Sequence, residues 1–187
     1  MQSEKLIIGI VGKIASGKGM VAEHIHSRYK ADFIDFSQFL YQAMDIFSIP
    51  HERKNINSLS IFLRATYGQD VFSRAVRKTL DARTEERVVI AGIRRDEDLV
   101  HLSDLGNFVL VYIESDVRIR YERNRSAARK PGDHAMTFEE FSAKDSDESN
   151  NTIEGLKSHA QHVLENNGSP EDFLKGLDVL LAQYIKE

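Results

Sequence analysis

The residues best suited to chemistry in this chain lie close together near its start. Gly12-Lys13-Ile14-Ala15-Ser16-Gly17-Lys18-Gly19 places two glycines and a lysine at the G-x4-G-K spacing. The apolar run Leu6–Val11 precedes it, and a helical pattern follows from Met20. Glycines at both ends let the backbone turn tightly, so that several N–H groups converge on one point. The start of the next helix adds partial positive charge there, and Lys18 adds a full one. A di- or triphosphate is the natural occupant. A second fingerprint overlaps the first. Gly17-Lys18-Gly19-Met20-Val21-Ala22 fits the G-x-G-x-x-A dinucleotide turn, with Asp35 at a suitable distance downstream. That motif needs its first glycine at the strand end, a place held here by Gly12. An ordinary glycine-rich turn is the remaining reading.

The elements that must position this loop read as alternating strands and helices. Residues 5–11 are a buried central strand, 17–29 a helix, 31–36 a short strand and 38–47 a helix capped by Ser37. Residues 51–57 read as a loop. Residues 58–83 are helical with a break at Gly68. Strands follow around 88–91, 108–113 and 159–164. Short helices are expected at 95–104 and 116–126, and a terminal helix at 170–185 with Ser169 as its cap. Alternation of this kind predicts an α/β fold, a parallel sheet covered on both faces. Residues 127–152 interrupt the pattern and read as an excursion from the core, with a helix start at Thr137-Phe138-Glu139-Glu140.

Ligands in such sheets sit beyond the carboxyl ends of the strands. Strand two delivers Asp35, Phe36 and Ser37. Strand three delivers Gly92, Ile93, Arg94, Arg95 and Asp96. Of the arginine pair, Arg94 is the choice for a second phosphoryl group, which guanidinium binds bidentately. Arg64 is either a ligand or a surface arginine. Asp35 is equally a helix cap, a carboxylate for an acceptor hydroxyl, or a holder of a metal-bound water. Arg118, Arg120, Arg123, Arg125, Arg129 and Lys130 form a basic cluster running into the excursion. It reads as a lid that brings arginines to a transferring group, or as a solvated helix face or weak RNA-binding patch.

Composition narrows the classes. The chain has 187 residues, enough for one domain with its own core. It has no cysteine, so disulfides and thiolate metal sites are excluded. No motif of H-E-x-x-H type is present. The net charge of −4 gives no global field for nucleic acid. The first apolar run is too short for a signal or a membrane span, so a cytoplasmic location without membrane partners is expected.

The wider set of motifs resembles a known group. The Gly17-Lys18-Gly19 ending is similar to that of adenylate kinases and other nucleoside monophosphate kinases. Gly92-Ile93-Arg94, Arg120-Tyr121-Glu122-Arg123, Thr137–Phe141 with Asp145 and Glu148, and Asn167-Gly168-Ser169 together resemble adenylate-kinase-like ATPases related to dephospho-CoA kinase. The resemblance runs collinearly along nearly the whole chain. It implies a three-layer P-loop NTPase fold with a five-stranded parallel sheet. It also implies a helical acceptor-binding segment at about 36–84 and a lid at about 124–150. The activity implied is transfer from ATP with Mg2+ to a nucleotide-like acceptor, by a monomer or homodimer.

On matching positions, Gly12, Ala15, Ser16, Gly17, Lys18, Gly19 and Met20 would hold the donor phosphates. Asn167, Gly168 and Ser169 would line the adenine pocket. Asp35, Ser37, Arg64 and Arg94 would take the acceptor, and Arg123 and Arg129 would act from the lid. Lys18, Arg94, Arg123, Arg129 and Asp35 form the expected catalytic set. Two positions depart from the pattern. Met20 follows Gly19 where relatives carry Thr, and Ala91 stands where an acidic residue is common. No direct metal ligand is therefore expected, and Asp35, or failing it Asp96, would act on magnesium through water. The stretch typical of true dephospho-CoA kinases is missing. The departures leave open a nucleotide-binding protein of weak turnover, and the arginine cluster leaves open an RNA-associated ATPase.

Overall fold

A computed structural model describes residues 5–127, 136–146 and 148–185. Five strands form one parallel sheet: β1 (Leu6–Val11), β2 (Asp32–Asp35), β3 (Arg87–Ala91), β4 (Phe108–Glu114) and β5 (His162–Glu165). Their order is β2-β3-β1-β4-β5. β1 is central because it can be buried on both faces, and all six of its residues are. Its side chains alternate between two cores, as a two-residue period requires. Ile7 and Val11 join one core, and Leu6, Ile8 and Ile10 the other.

Helices cover both faces. On one lie α1 (Lys18–Tyr29) and α8 (Pro170–Leu181), which contribute Val21, Ile25, Phe173, Leu177 and Leu181. On the other, α2 (Gln38–Ile46) and α4 (Val71–Asp81) contribute Leu40, Phe72, Val76 and Leu80. Helix α3 (Arg53–Tyr67) packs its Ile56, Leu59 and Leu63 against this second core. Three further helices are α5 (Val117–Ala127), α6 (Phe138–Asp145) and α7 (Glu148–Gly155). The expected three-layer α/β architecture with a five-stranded parallel sheet is thus observed.

Local differences have identifiable causes. Residues 53–57, expected as loop, open α3: their polar side chains face solvent while Ile56 reaches the core. The helix expected at 95–104 contracts to a single 3-10 turn, Asp96–Asp98, followed by turns. Ser37 does not cap α2 through its side chain. Asp35 does the local capping instead, its Oδ1 accepting from the Ser37 N–H at 2.7 Å and from the Ser37 hydroxyl at 2.5 Å. The helix start expected at Thr137–Glu140 is that of α6, where Thr137 and Glu140 form a capping box; α7 begins at Glu148. Arg129 and Lys130 lie outside the described residues. Ser169 caps α8, accepting from the Asp172 N–H, with Pro170 at the first turn.

Candidate phosphate-binding site

The loop from Gly12 to Gly17 joins β1 to α1 at the carboxyl edge of the sheet. Its glycines are structurally required. Gly12 sits at φ 152°, and a Cβ there would lie 2.5 Å from the Ile113 carbonyl oxygen. Gly17 sits at φ 105°, and a Cβ there would lie 2.3 Å from Asn166 Nδ2. Ala15 takes a positive φ of 59°, a conformation that costs a non-glycine residue about 1 kcal/mol and that recurs at ligand sites. Gly17 caps α1 without a side-chain bond, and the first turn of the helix carries no acidic residue. The N–H groups of that turn therefore keep their capacity for an anion.

Lys18 folds back over this loop. Its Nζ donates to the carbonyls of Gly12 at 2.6 Å and Lys13 at 2.7 Å. Burial, then the nearby charges of Arg94 and Arg120, bring its pKa down to about 8. Two of these cations stand differently. Arg120 is neutralised by Asp145, whereas Arg94 is exposed and makes no side-chain ion pair among the described residues. An anion placed between Lys18 and Arg94 would relieve their repulsion.

Beside the loop lies a cleft of ≈ 400 Å³ walled by Ala15, Gly17, Met20, Arg123, Asn166 and Pro170. Asn166 is 1% exposed and its Nδ2 donates to the Ser16 carbonyl at 2.8 Å. Its Oδ1 accepts from Arg123 at 3.1 Å, and Arg123 also donates to Ser115 Oγ at 3.2 Å. Burial lowers the Arg123 pKa below the ordinary guanidinium value. The expected residues Asn167, Gly168 and Ser169 are exposed and do not wall this cleft. Asn167 instead accepts from the Asp116 N–H at 2.9 Å. Asn166, which the last strand delivers to the ligand edge with Asn167, was passed over for the adenine pocket in favour of Asn167. Its neighbour in an Asn-Asn pair has the same chemistry, and only the strand register separates them.

Of the expected acceptor residues, Asp35 and Ser37 stand together at the end of β2, bonded to each other. Arg64 is 8% exposed. It donates to Asp98 Oδ1 at 2.7 Å and to the Gln69 carbonyl, and its guanidinium lies 4.7 Å from the Phe72 ring centroid. Gly19 and Ala91 bring no metal donor to the loop or to the end of β3. Among the described residues no group of three or more metal-ligating side chains gathers. Ser16 Oγ is a buried side-chain atom without a hydrogen-bond partner among the described residues.

Sequence reasoning placed Arg120 in a basic cluster and Asp145 in a motif, without pairing them. They form a buried bidentate pair at 2.5 and 2.7 Å. Lys13 of the loop joins it, 3.5 Å from Asp145 and 2.7 Å from Glu154.

No family model matches the chain. It is 27% identical over 178 residues to the UPF0200 protein of Methanoculleus marisnigri, covering 95% of this chain and 96% of that one. Among solved structures it is similar to the shikimate kinase of Bacteroides thetaiotaomicron. The TM-score is 0.60 at 15% identity, over 94% of this chain and 98% of that one. A sugar kinase from Janibacter matches with a TM-score of 0.56 at 16% identity, covering 97% of this chain and 99% of that one. The fold is that of a P-loop kinase. In this fold Gly12–Gly19 is the loop after the first strand. No helix among the described residues is long and apolar enough to cross a membrane.

Proposed function

We propose that this protein transfers the γ-phosphoryl group of ATP to a small acceptor, most simply a nucleoside or deoxynucleoside monophosphate. The observation that carries the reading is the pairing of a half-buried Lys18, its pKa depressed, with Arg94, which makes no side-chain ion pair among the described residues, beside a helix N-terminus without a side-chain cap. Such a site is charged and shaped for a polyphosphate.

Lys18 and the loop amides would hold the donor phosphates, with Met20, Asn166, Arg123 and Pro170 around the adenosine. Arg94 would neutralise charge on the acceptor side, and Arg123 on the donor side. Arg129 would join from the lid, taken as about 124–150, opposite an acceptor segment at about 36–84. The bond from the γ-phosphorus to the ADP oxygen breaks as an acceptor oxygen attacks in line. A phosphate acceptor needs no strong base. Magnesium would enter on the ATP phosphates and keep most of its waters, and Asp35 would hold it through one of them.

One observation favours a second reading of the acceptor. Arg64 is committed to Asp98 and buried, which leaves fewer cations for an acceptor phosphate. A hydroxyl acceptor, its proton passing to Asp35, would suit that arrangement. The missing metal anchors at Met20 and Ala91 favour a third reading, an ATP-binding protein of weak turnover.

A coupled assay with ATP and magnesium separates them. Monophosphates, dephospho-CoA and small hydroxy acids serve as acceptors. Phosphorylation of a monophosphate is the expected result. Phosphorylation confined to a hydroxyl compound supports the second reading. Tight ATP binding with every acceptor unmodified supports the third.

A further inference from the structure

Asp98 is 1% exposed, and both of its carboxylate oxygens are engaged. Oδ2 accepts from the backbone N–H groups of Arg94 at 2.9 Å and Arg95 at 3.2 Å. Oδ1 accepts from Arg64 at 2.7 Å. Other contacts hold the same turn. Ser73 Oγ of α4 donates to the Glu97 carbonyl at 2.9 Å. Gly92, at φ 84°, has room for a Cβ only 3.1 Å from Asp35 Oδ1 and from Phe36. The turn that carries Arg94 is therefore clamped between the end of β2, the C-terminal part of α3 and the start of α4.

A carboxylate that binds two successive N–H groups fixes the direction of the chain between them. Here it fixes where the Arg94 side chain leaves the backbone. Arg64 supplies a counter-charge to this buried carboxylate. A guanidinium already spent on a carboxylate and a carbonyl, and covered by Phe72, is poorly placed to grip a ligand as well.

We propose that Asp98 is the positioning residue of the acceptor-side anion site: it sets Arg94, and Arg64 acts through Asp98 rather than on the ligand. This rests on the phosphoryl-transfer reading above. A plain stabilising pair would lower stability without separating one ligand from another.

The test uses the full chain with two probes in titration calorimetry. ATP reports the donor site, and diadenosine pentaphosphate reports donor and acceptor sites together. Hydrogen exchange at the Arg94 and Arg95 amides reports the turn itself. Asp98→Asn should weaken diadenosine pentaphosphate by about tenfold or more while ATP stays within about twofold. The two amides should exchange faster. Arg64→Lys, which keeps a cation for Asp98, should retain most of the affinity that Arg64→Met loses. The Asp98→Asn effect should vanish in an Arg94→Met background, because the group it positions is gone.

Unchanged diadenosine pentaphosphate affinity in Asp98→Asn would overturn the proposal. So would an Arg64→Lys loss equal to that of Arg64→Met with both amides still protected, since Arg64 would then be a ligand itself. If Asp98→Asn fails to fold, the Arg64 pair and Arg94→Met decide alone. A wild-type chain that binds neither probe refutes the transfer reading, while the amide exchange still judges what Asp98 holds.

Discussion

Arg120 and Asp145 face each other through two hydrogen bonds, 2.5 and 2.7 Å, with side chains only 4% and 9% exposed. The pair joins α5 to α6. Arg120 also donates to the Ser115 carbonyl at 2.8 Å, and Lys13 approaches Asp145 from the loop. The loop after β1 and helices α5 and α6 are thus held as one electrostatic unit.

Asp145→Ala leaves Arg120 buried without a counter-charge, which should cost about 3–5 kcal/mol. Chemical denaturation measures this. Burial alone would raise the Asp145 pKa, but the Arg120 bonds and charge, and then Lys13, hold it below the usual carboxylate value. Its contribution is therefore present above the ordinary carboxylate pKa of about 3.9 and is lost as pH falls through the lower folded value. The wild type should lose stability in that acid range more steeply than Asp145→Ala. Parallel pH profiles would count against the pair.

Lys18 should take up a proton when ATP binds at high pH. With a free pKa of about 8, it is largely neutral at pH 9, and phosphate restores its charge. Calorimetry in buffers of different ionisation enthalpy should show uptake at pH 9 and little at pH 6.5. The same shift implies that the folded chain holds fewer protons than the unfolded one between about 8 and 10.5, so this group's contribution to stability rises with pH across that window. Equal proton uptake at both pH values would mean that Lys18 does not meet the phosphates.

Gly17→Ala tests the contact between loop and β5. The new methyl would lie 2.3 Å from Asn166 Nδ2 in a backbone conformation that L side chains avoid. The expected cost exceeds about 1 kcal/mol, with loss of ATP affinity. Asn166→Gly in the same chain should recover part of the stability, because it removes the clashing amide. Thermal melts of the three variants decide the matter, and additive losses would argue that the two residues are independent.

The strands and the loop were legible because each depends on neighbours in sequence. The apolar runs marked β1, β3 and β4, and the glycine spacing marked the turn between β1 and α1. The Thr137–Glu140 box and the Ser169 cap were equally local. What escaped depends on contacts between distant residues. The polar residues that open α3 look like a loop until Ile56 is seen on the core. The expected helix after Arg95 shortens because Asp98 turns back to the N–H groups of Arg94 and Arg95. Arg64 read equally as a ligand or a surface arginine, and its buried bond to Asp98 depends on a residue far away in sequence.

Gly19→Ser probes the metal question. It supplies, directly after Lys18 and with open space for its Cβ, the hydroxyl that phosphate loops place on magnesium. Turnover should rise by roughly tenfold and half-saturation should need less magnesium, if the anchor limits the reaction. Turnover unchanged across a magnesium titration would show that the metal is held well enough by the phosphates and water.

The central claim is that Lys18 and its loop support phosphoryl transfer from ATP. The direct measurement follows the γ-phosphate by phosphorus NMR, with ATP, magnesium and a panel of nucleoside monophosphates, in wild type and Lys18→Met. The expected result is a new β-phosphate signal in one acceptor with matching ADP in the wild type, and neither in Lys18→Met at equal folded concentration. Full transfer by Lys18→Met, or ATP bound by the wild type with every acceptor unchanged, would contradict it.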